Sequence, residues 1–391
     1  MDFKEVKELS SKYLFQNYGR IDLSFTHGEG CHLYDTEGKE YLDLVAGIAV
    51  NALGYAHPDW VDAVQKQVAR MVHVSNLYHV EEQARLAEKI ASIAPGDLDR
   101  TLFVNSGAEA NEGALKLAVR YTGRGRVMSA LNGFHGRTAA SLGATGQKKY
   151  QQSFEPLISD AFEYYEYGNP ESVKGMIGKD VAAVIVEPIQ GEGGVRTAPK
   201  EFFKTVRDEC TDNGALMIVD EVQTGIGRTG QWYGIQNFGV VPDIITMAKA
   251  LGNGVPIGAV TSTEEISKVM TPGTHGTTFG GNPLVTTAGC ATIDIMKRDN
   301  LVQHSHDLGH RWMEDLKSIS SDKIKEVRGY GMMIGIEMDS NETAAGIQKH
   351  CRENGVLVNV CHGNTIRLIP PLILTDEQKN IFTDILRECV Q

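Results

Sequence analysis

Short apolar runs that alternate with helical segments constrain the fold of this chain more than any other feature. Four of them are TLFV (101–104), VAAVIV (181–186), ALMIV (215–219) and DIITM (243–247). Each is of strand length, far below the roughly 20 apolar residues of a membrane span. Because alternating strands and helices build parallel sheets covered by helices, we predict an α/β fold with a mostly parallel central sheet.

The pattern changes after about residue 285. Two helical segments are followed by three strand-like runs, VRGYGMMIGIEM, VLVNV and TIRLI. This order is typical of an α+β unit. We therefore predict a large domain over 46–282 and a smaller C-terminal domain over 283–391, with an N-terminal segment, 1–45, that packs with the smaller one.

The last helix has a recognisable start. Thr375 is followed three residues later by Gln378, which is the spacing of a capping box. Four apolar residues after it suggest the buried stripe of this helix: Ile381, Phe382, Ile385 and Leu386.

Charge and cysteine content exclude some classes of function. The net charge of −12 argues against a protein that binds the phosphate backbone of nucleic acids. The N-terminus is charged from its second residue and has no apolar signal segment. Six scattered cysteines without a CxxC pair are typical of reduced thiols, so we expect a cytoplasmic protein without a metal site.

Polar and small residues follow the predicted strands, where ligands bind in open α/β sheets. After TLFV come Ser106, Gly107 and Ala108 at the start of a helix. Backbone N–H groups there could bind a phosphate, or the segment is a plain helix start capped by Ser106 or Asn105.

A second cluster lies in NGFHGRTAAS. Phe134 suggests an aromatic ring stacked on a flat ligand, and Arg137 suggests a carboxylate bound through two hydrogen bonds. The alternative is a surface loop in which His135 is satisfied by its surroundings.

Asp220 and Lys249 stand at the ends of two successive apolar runs. A buried aspartate needs a cationic partner, and a pyridinium N–H would be one. A desolvated lysine is the usual nucleophile for Schiff-base chemistry with carbonyl groups. Together with the phosphate cradle and the stacking aromatic, these residues match the needs of pyridoxal phosphate.

The segment GIGRTG (225–230) fits the glycine pattern of dinucleotide-binding folds. The QWYGIQNFGVVPD that follows contains further glycines and a proline and does not predict the required helix. We therefore do not interpret it as a dinucleotide-binding site of the Rossmann type.

Over essentially its whole length, the sequence resembles the class III, fold type I, pyridoxal-phosphate-dependent aminotransferases. The most specific likeness is IVDEVQTGIGRTG followed by DIITMAKALGNGVPIG at the spacing of that family. NSGAEANE, FHGRT, VEPIQGEGG, HGTTFGGNP and IRLIPPL occur in the family's order. The resemblance implies a large domain with a mostly parallel sheet and a smaller α+β domain.

The same resemblance implies roles for individual residues. Lys249 would hold pyridoxal phosphate as a Schiff base and act as the base of the proton shift, and Asp220 would pair with the ring nitrogen. The further cofactor contacts that it implies are Ser106, Gly107, Ala108, Phe134, His135, Val222, Gln223 and Thr278.

For the substrates, the resemblance implies that Arg137 binds the α-carboxylate of the donor and Arg367 that of 2-oxoglutarate. Glu192 would pair with Arg367 while the donor is bound. Thr277 would lie near the substrate, and the loop with Thr277 and Thr278 would reach across a homodimer interface.

Within that family, the chain most resembles the members that move the δ-amino group of N2-acetyl-L-ornithine to 2-oxoglutarate in arginine biosynthesis. The alternatives are another ω-amino donor (ornithine, succinylornithine, 4-aminobutyrate, an acetyl-diaminopimelate-type compound or a carrier-linked lysine or ornithine), an aminomutase, or a non-enzymatic binding module. The last would leave Lys249 and Asp220 without a purpose.

Overall fold

The computed structural model describes residues 1–391. Its helices are α1 (Phe3–Tyr13), α2 (Ala46–Ala49), α3 (Pro58–Arg70), α4 (Glu81–Ala91), α5 (Gly107–Thr122), α6 (Ala139–Ala144), α7 (Lys148–Gln151), α8 (Lys200–Asn213), α9 (Glu264–Ser267), α10 (Pro283–Arg298), α11 (Leu301–Lys317), α12 (Asn341–Glu353) and α13 (Asp376–Val390). Its strands are β1 (Phe25–Glu29), β2 (His32–Asp35), β3 (Glu40–Asp43), β4 (Arg100–Val104), β5 (Arg126–Ala130), β6 (Phe162–Tyr165), β7 (Val181–Val186), β8 (Leu216–Asp220), β9 (Ile244–Met247), β10 (Gly258–Ser262), β11 (Ile324–Tyr330), β12 (Met333–Met338), β13 (Val356–Leu357), β14 (Asn359–Cys361) and β15 (Thr365–Leu368). Short 3-10 helices span Glu155–Leu157, Pro170–Ser172, Gly234–Phe238 and Lys249–Gly252.

A seven-stranded sheet in the order β4-β10-β9-β8-β7-β5-β6 forms the centre of the molecule. The strands β9, β8, β7, β5 and β6 pair in parallel. Only β10 runs against its two neighbours, β9 and β4. The carboxyl ends of the other six strands therefore meet at one edge, and the prediction of an α/β fold with a mostly parallel sheet is confirmed.

Both faces of this sheet are covered, which explains the continuous apolar runs of its strands. Along β7 and β8, alternate side chains pack on opposite faces. Ala183, Ile185 and Ile218 face the cluster that contains Ala110 and Ala114 of α5. The other face is packed by side chains of α8 and the strands, including Phe202, Phe203, Val206, Val184 and Met217.

Two smaller four-stranded sheets contain the remaining strands, in the orders β1-β2-β3-β13 and β11-β12-β15-β14. In the first, Val356 of β13 pairs in parallel with Leu42 of β3, so the N-terminal strands pair with the C-terminal part of the chain. Helix α10 packs on α3 and α4. The domain limits at 45 and 282 stay a prediction.

Helix α13 begins as the sequence predicts, with Thr375 as its N-cap and a complete capping box with Gln378. One residue of its expected stripe was wrong, because Ile381 is 46% exposed. The buried face is centred on Phe382, Thr383 and Leu386. The hydroxyl of the buried Thr383 accepts a hydrogen bond of 3.0 Å from Nε1 of the buried Trp312.

No helix combines the length and the apolar character needed to cross a membrane.

Candidate active site

A cavity of about 430 Å³ lies at the carboxyl edge of the central sheet. Each of five strands delivers a residue to it at or just after its last position: Asn105 after β4, Phe134 after β5, Glu187 after β7, Asp220 at the end of β8 and Lys249 after β9. The topology therefore gathers residues that lie up to 144 positions apart in the chain into one pocket.

Most of the predicted site residues line this cavity: Ser106, Gly107, Ala108, Phe134, His135, Arg137, Asp220, Val222, Gln223 and Lys249. Glu192 and Arg367 lie beside the cavity and pair with each other. Nη1 of Arg367 also donates to Oε1 of the lining residue Gln223 at 3.1 Å. Thr277 and Thr278 are not part of the lining. Within the chain, Thr277 Oγ1 accepts a hydrogen bond of 2.9 Å from Asn105 Nδ2.

Asp220 makes hydrogen bonds to three groups of the pocket, and it is only 4% exposed. Its Oδ2 accepts from Asn111 Nδ2 at 2.7 Å and lies 2.8 Å from His135 Nδ1, and its Oδ1 accepts from the Val222 N–H at 3.0 Å. Burial alone would lower the pKa of His135, but the hydrogen bond and charge of Asp220 outweigh it and raise that pKa. The contact with Asp220 therefore favours a His135 imidazole that carries a proton on Nδ1.

Lys249 is held by backbone geometry as well as by its surroundings. Its φ angle is 43°, in the left-handed region that non-glycine residues rarely adopt, and it opens a 3-10 helix directly after β9. Such backbone conformations are concentrated at functional sites. Burial, followed by the positive charge of Arg367, lowers the pKa of the Lys249 amine to about 8.

Helix α5 begins at the pocket, and its first residue, Gly107, lines the cavity. Ser106 is its N-cap, and the hydroxyl accepts from the Glu109 N–H at 3.2 Å. A Cβ atom on Gly107 would lie 2.7 Å from Val222 Cγ1, so glycine is needed for this close approach. The first N–H groups of a helix have no partner inside the helix, and those of Gly107 and Ala108 are therefore suited to a phosphate.

Two arginines flank the pocket in different states. Arg367 is 1% exposed and fully engaged: Nη1 pairs with Glu192 Oε1 at 2.6 Å, while Nε and Nη2 donate to Asn359 Oδ1 at 3.0 and 2.6 Å. Burial would raise the pKa of Glu192, but the charge and hydrogen bond of Arg367 outweigh it and lower that pKa. Arg137 is exposed and packs on the aromatic rings of Tyr150 and Phe134.

Sequence reasoning missed two polar residues of the site, Asn111 and Glu187. Asn111 of α5 donates to Asp220 and to the carbonyl of His135, and it accepts from Thr246 Oγ1 at 2.7 Å. Glu187 accepts from the Phe134 N–H at 2.9 Å, and burial raises its pKa to about 7. An asparagine on the apolar face of a helix and a glutamate directly after a buried strand were the signals that could have revealed them.

The GIGRTG segment forms turns with no helix after it except a five-residue 3-10 helix, Gly234–Phe238. Its Arg228 is buried and donates from Nη1 to the carbonyl oxygens of Met332 and Pro370 at 3.1 and 2.5 Å. Through Arg228, this segment contacts the C-terminal part of the chain at Met332 and Pro370. It lacks the helix that a dinucleotide site requires, in agreement with the sequence analysis.

Known proteins resemble the chain over its full length. Residues 13–390 match the family model of the class III aminotransferases. Acetylornithine aminotransferase of Methanothermobacter thermautotrophicus is 44% identical over 99% of this chain and 98% of its own length, and that of Caldanaerobacter subterraneus is 44% identical over 96% and 98%.

Solved structures give the same answer. Ornithine aminotransferase of Toxoplasma gondii superposes with a TM-score of 0.95 at 30% identity, over 100% of this chain and 95% of that one. Acetylornithine aminotransferase of Elizabethkingia anophelis superposes with a TM-score of 0.88 at 31% identity, over 100% and 99%. The chain therefore belongs to the class III aminotransferases and is a pyridoxal-phosphate-dependent transaminase.

Proposed function

We propose that this enzyme moves the δ-amino group of N2-acetyl-L-ornithine to 2-oxoglutarate, giving N-acetylglutamate 5-semialdehyde and L-glutamate. The observation that carries the proposal is the unequal pair of arginines, Arg137 exposed at the pocket and Arg367 neutralised by Glu192. It supports a pocket that takes a donor with one distal carboxylate and also a dicarboxylic acceptor. The curated relatives described above act on acetylornithine by name, which supports the same donor.

The residues of the pocket divide the work. When bound, pyridoxal phosphate supplies an aldehyde that condenses with amines and a ring that withdraws electrons from the carbon beside the nitrogen. Asp220, held by Asn111 and His135, keeps a proton on the ring nitrogen. Phe134 and Val222 would enclose the ring, and the backbone N–H groups of Gly107 and Ala108 would bind the phosphate.

Lys249 carries the proton chemistry. With a pKa of about 8, roughly a tenth of the amine is neutral at pH 7, far more than for an ordinary lysine, and the neutral amine is the form that nucleophilic attack and proton abstraction require. Its fixed backbone places Nζ at the end of β9, beside the end of β8 that carries Asp220. The amine can therefore take a proton from the donor carbon and return it to the neighbouring position.

Glu192 acts as a switch between the two substrates. While Glu192 pairs with Arg367, that arginine is neutralised, and Arg137 is left to bind the α-carboxylate of the donor. When glutamate or 2-oxoglutarate binds, its carboxylate replaces Glu192 on Arg367. This arrangement lets one cavity accept both molecules without binding either at the wrong end.

A homodimer is part of the proposal, with Thr277 and Thr278 contributed across its interface and Thr278 on the phosphate. Exposed apolar side chains at and near their loop support it, with Phe279 61% exposed and Leu77 85% exposed. The two segments are joined by the Asn76 amide, which donates to the Gly280 carbonyl at 3.0 Å. Exposed apolar patches of this kind are typical of subunit interfaces.

All six cysteines are unpaired, which supports a cytoplasmic enzyme.

The amino donor is tested by single-turnover kinetics. Loss of the absorbance of the lysine-linked cofactor is followed after mixing with acetylornithine, ornithine, succinylornithine or 4-aminobutyrate. We expect the highest rate constant over Kd for acetylornithine, and steady-state turnover that requires a keto acid. Faster reaction with 4-aminobutyrate or ornithine would refute the donor assignment, and product without keto acid would indicate an aminomutase.

The state of Lys249 gives a pH prediction. Because only the neutral amine attacks an aldehyde, the rate at which apoenzyme takes up pyridoxal phosphate should rise with pH, with a midpoint near 8. Arg367→Leu should move this midpoint upward, because the charge of Arg367 contributes to the lowered pKa. A midpoint near 10 in the wild-type enzyme would contradict a desolvated Lys249.

The Lys249→Ala variant should fold but show no absorbance of a lysine-linked cofactor.

The switch is tested with Glu192→Gln. An uncompensated Arg367 should favour glutamate over acetylornithine, so the ratio of their kcat/KM values should rise by at least about tenfold, or about 1.4 kcal/mol. Glu163→Gln is the matched control, because Glu163 pairs with Arg126 away from the pocket. Equal effects of Glu192→Gln on both half-reactions would speak against the switch.

The shared site is tested by subunit mixing. Lys249→Ala and Thr278→Val chains are each expected to be impaired, Lys249→Ala completely. If Thr278 serves the partner's cofactor, a mixed dimer contains one site with an intact lysine and an intact threonine, so unfolding and refolding the two together should restore activity. No gain over the separate Thr278→Val activity would place Thr278 in its own subunit's site.

A further inference from the structure

Arg137 is positioned by aromatic stacking rather than by hydrogen bonds or ion pairs within the chain. Its Cζ lies 4.3 Å from the centroid of the Tyr150 ring and 5.5 Å from that of the Phe134 ring. Tyr150 itself meets Phe134 edge to face, with centroids 5.5 Å apart and planes at 78°. Arg367, in contrast, is fixed by three side chains that accept its hydrogen bonds: Glu192, Gln223 and Asn359.

This difference has a chemical consequence. A guanidinium that stacks on a ring keeps its N–H donors free for a carboxylate, whereas one that is already hydrogen-bonded must release a partner first. Arg137 can therefore bind a carboxylate without competition. From this geometry we infer that Tyr150 is a positioning and specificity-determining residue, which orients Arg137 toward the α-carboxylate of the amino donor. The inference rests on the proposed donor role of Arg137.

The backbone that carries Tyr150 is firmly attached to the rest of the site. The Gln147 amide donates to the carbonyl oxygens of Asn132 and Gly133 at 3.0 and 3.3 Å, which joins this segment to the loop of Phe134. The Gln151 amide donates to the Thr145 carbonyl at 2.9 Å and to the Tyr164 hydroxyl at 2.7 Å. These hydrogen bonds fix the position of helix α7, which carries the Tyr150 ring.

The ring, and not the hydroxyl, carries this role. The Tyr150 hydroxyl makes no hydrogen bond within the chain, and Tyr150 is half-buried, so its side chain can be changed without opening the core. Phenylalanine at this position preserves the stacking surface, whereas leucine removes it. The two substitutions therefore separate stacking from simple space filling.

The test compares two donors that differ only in the carboxylate. N-acetylputrescine is N2-acetylornithine without its α-carboxylate. We expect Tyr150→Leu to raise the KM of acetylornithine about three- to tenfold, with kcat changed less than KM and with the KM of N-acetylputrescine nearly constant. Tyr150→Phe should behave like the wild type. Should Tyr150→Leu fail to fold, Tyr150→Met replaces it.

A double-mutant cycle with Arg137→Gln isolates the coupling. If Tyr150 acts through Arg137, Tyr150→Leu adds no further loss of acetylornithine discrimination in the Arg137→Gln background. An unchanged KM in Tyr150→Leu, equal losses with both donors, or a Tyr150→Phe variant as impaired as Tyr150→Leu would each overturn the inference. If Arg137→Gln alone leaves the donor KM unchanged, the proposed role of Arg137 fails, which is a different result.

Discussion

The carboxylate of Asp220 is the group on which the geometry of the site depends. A buried charge is costly unless hydrogen bonds and opposite charges compensate it, and Asp220 finds its compensation in Asn111 of α5, in His135 after β5 and in the backbone of Val222. Asn111 also accepts a hydrogen bond from Thr246 of β9, the strand that ends just before Lys249. One carboxylate thus connects the helix, the loop and the strand that surround the proposed cofactor position.

The proposed substrate-binding residues Glu192 and Arg367 are positioned by contacts between distant parts of the chain. Arg328 of β11 donates from Nη2 to the Gly194 carbonyl at 2.6 Å and from Nε to the Val195 carbonyl at 3.1 Å, and its Nη1 pairs with Glu337 at 2.6 Å. The loop that carries Glu192 is therefore attached to the same small sheet that carries Arg367. Glu192 and Arg367, the two residues of the proposed switch, are therefore both attached to this sheet, which holds them at a fixed distance from each other.

The sequence was sufficient for the parts of the structure that local patterns determine. Strand-length apolar runs predicted the sheet, and polar residues at the ends of those runs, Asp220 and Lys249 among them, predicted where the pocket lies. The contacts of Asn111 with Asp220 and of Tyr150 with Arg137 escaped prediction, because they join residues from different elements whose relative placement only the folded chain defines. Ile381 was misplaced for a similar reason, since the buried face of α13 includes Thr383, which contacts Trp312 of a different helix.

The central claim is that Asp220 and Lys249 are held at the ends of neighbouring strands to act on one cofactor from two sides. The most direct measurement is the 15N chemical shift of pyridoxal phosphate labelled at the ring nitrogen and bound to the wild-type enzyme. The account predicts the shift of a protonated nitrogen in the wild type and of an unprotonated one in Asp220→Asn. An unprotonated ring nitrogen in the wild-type enzyme would contradict it.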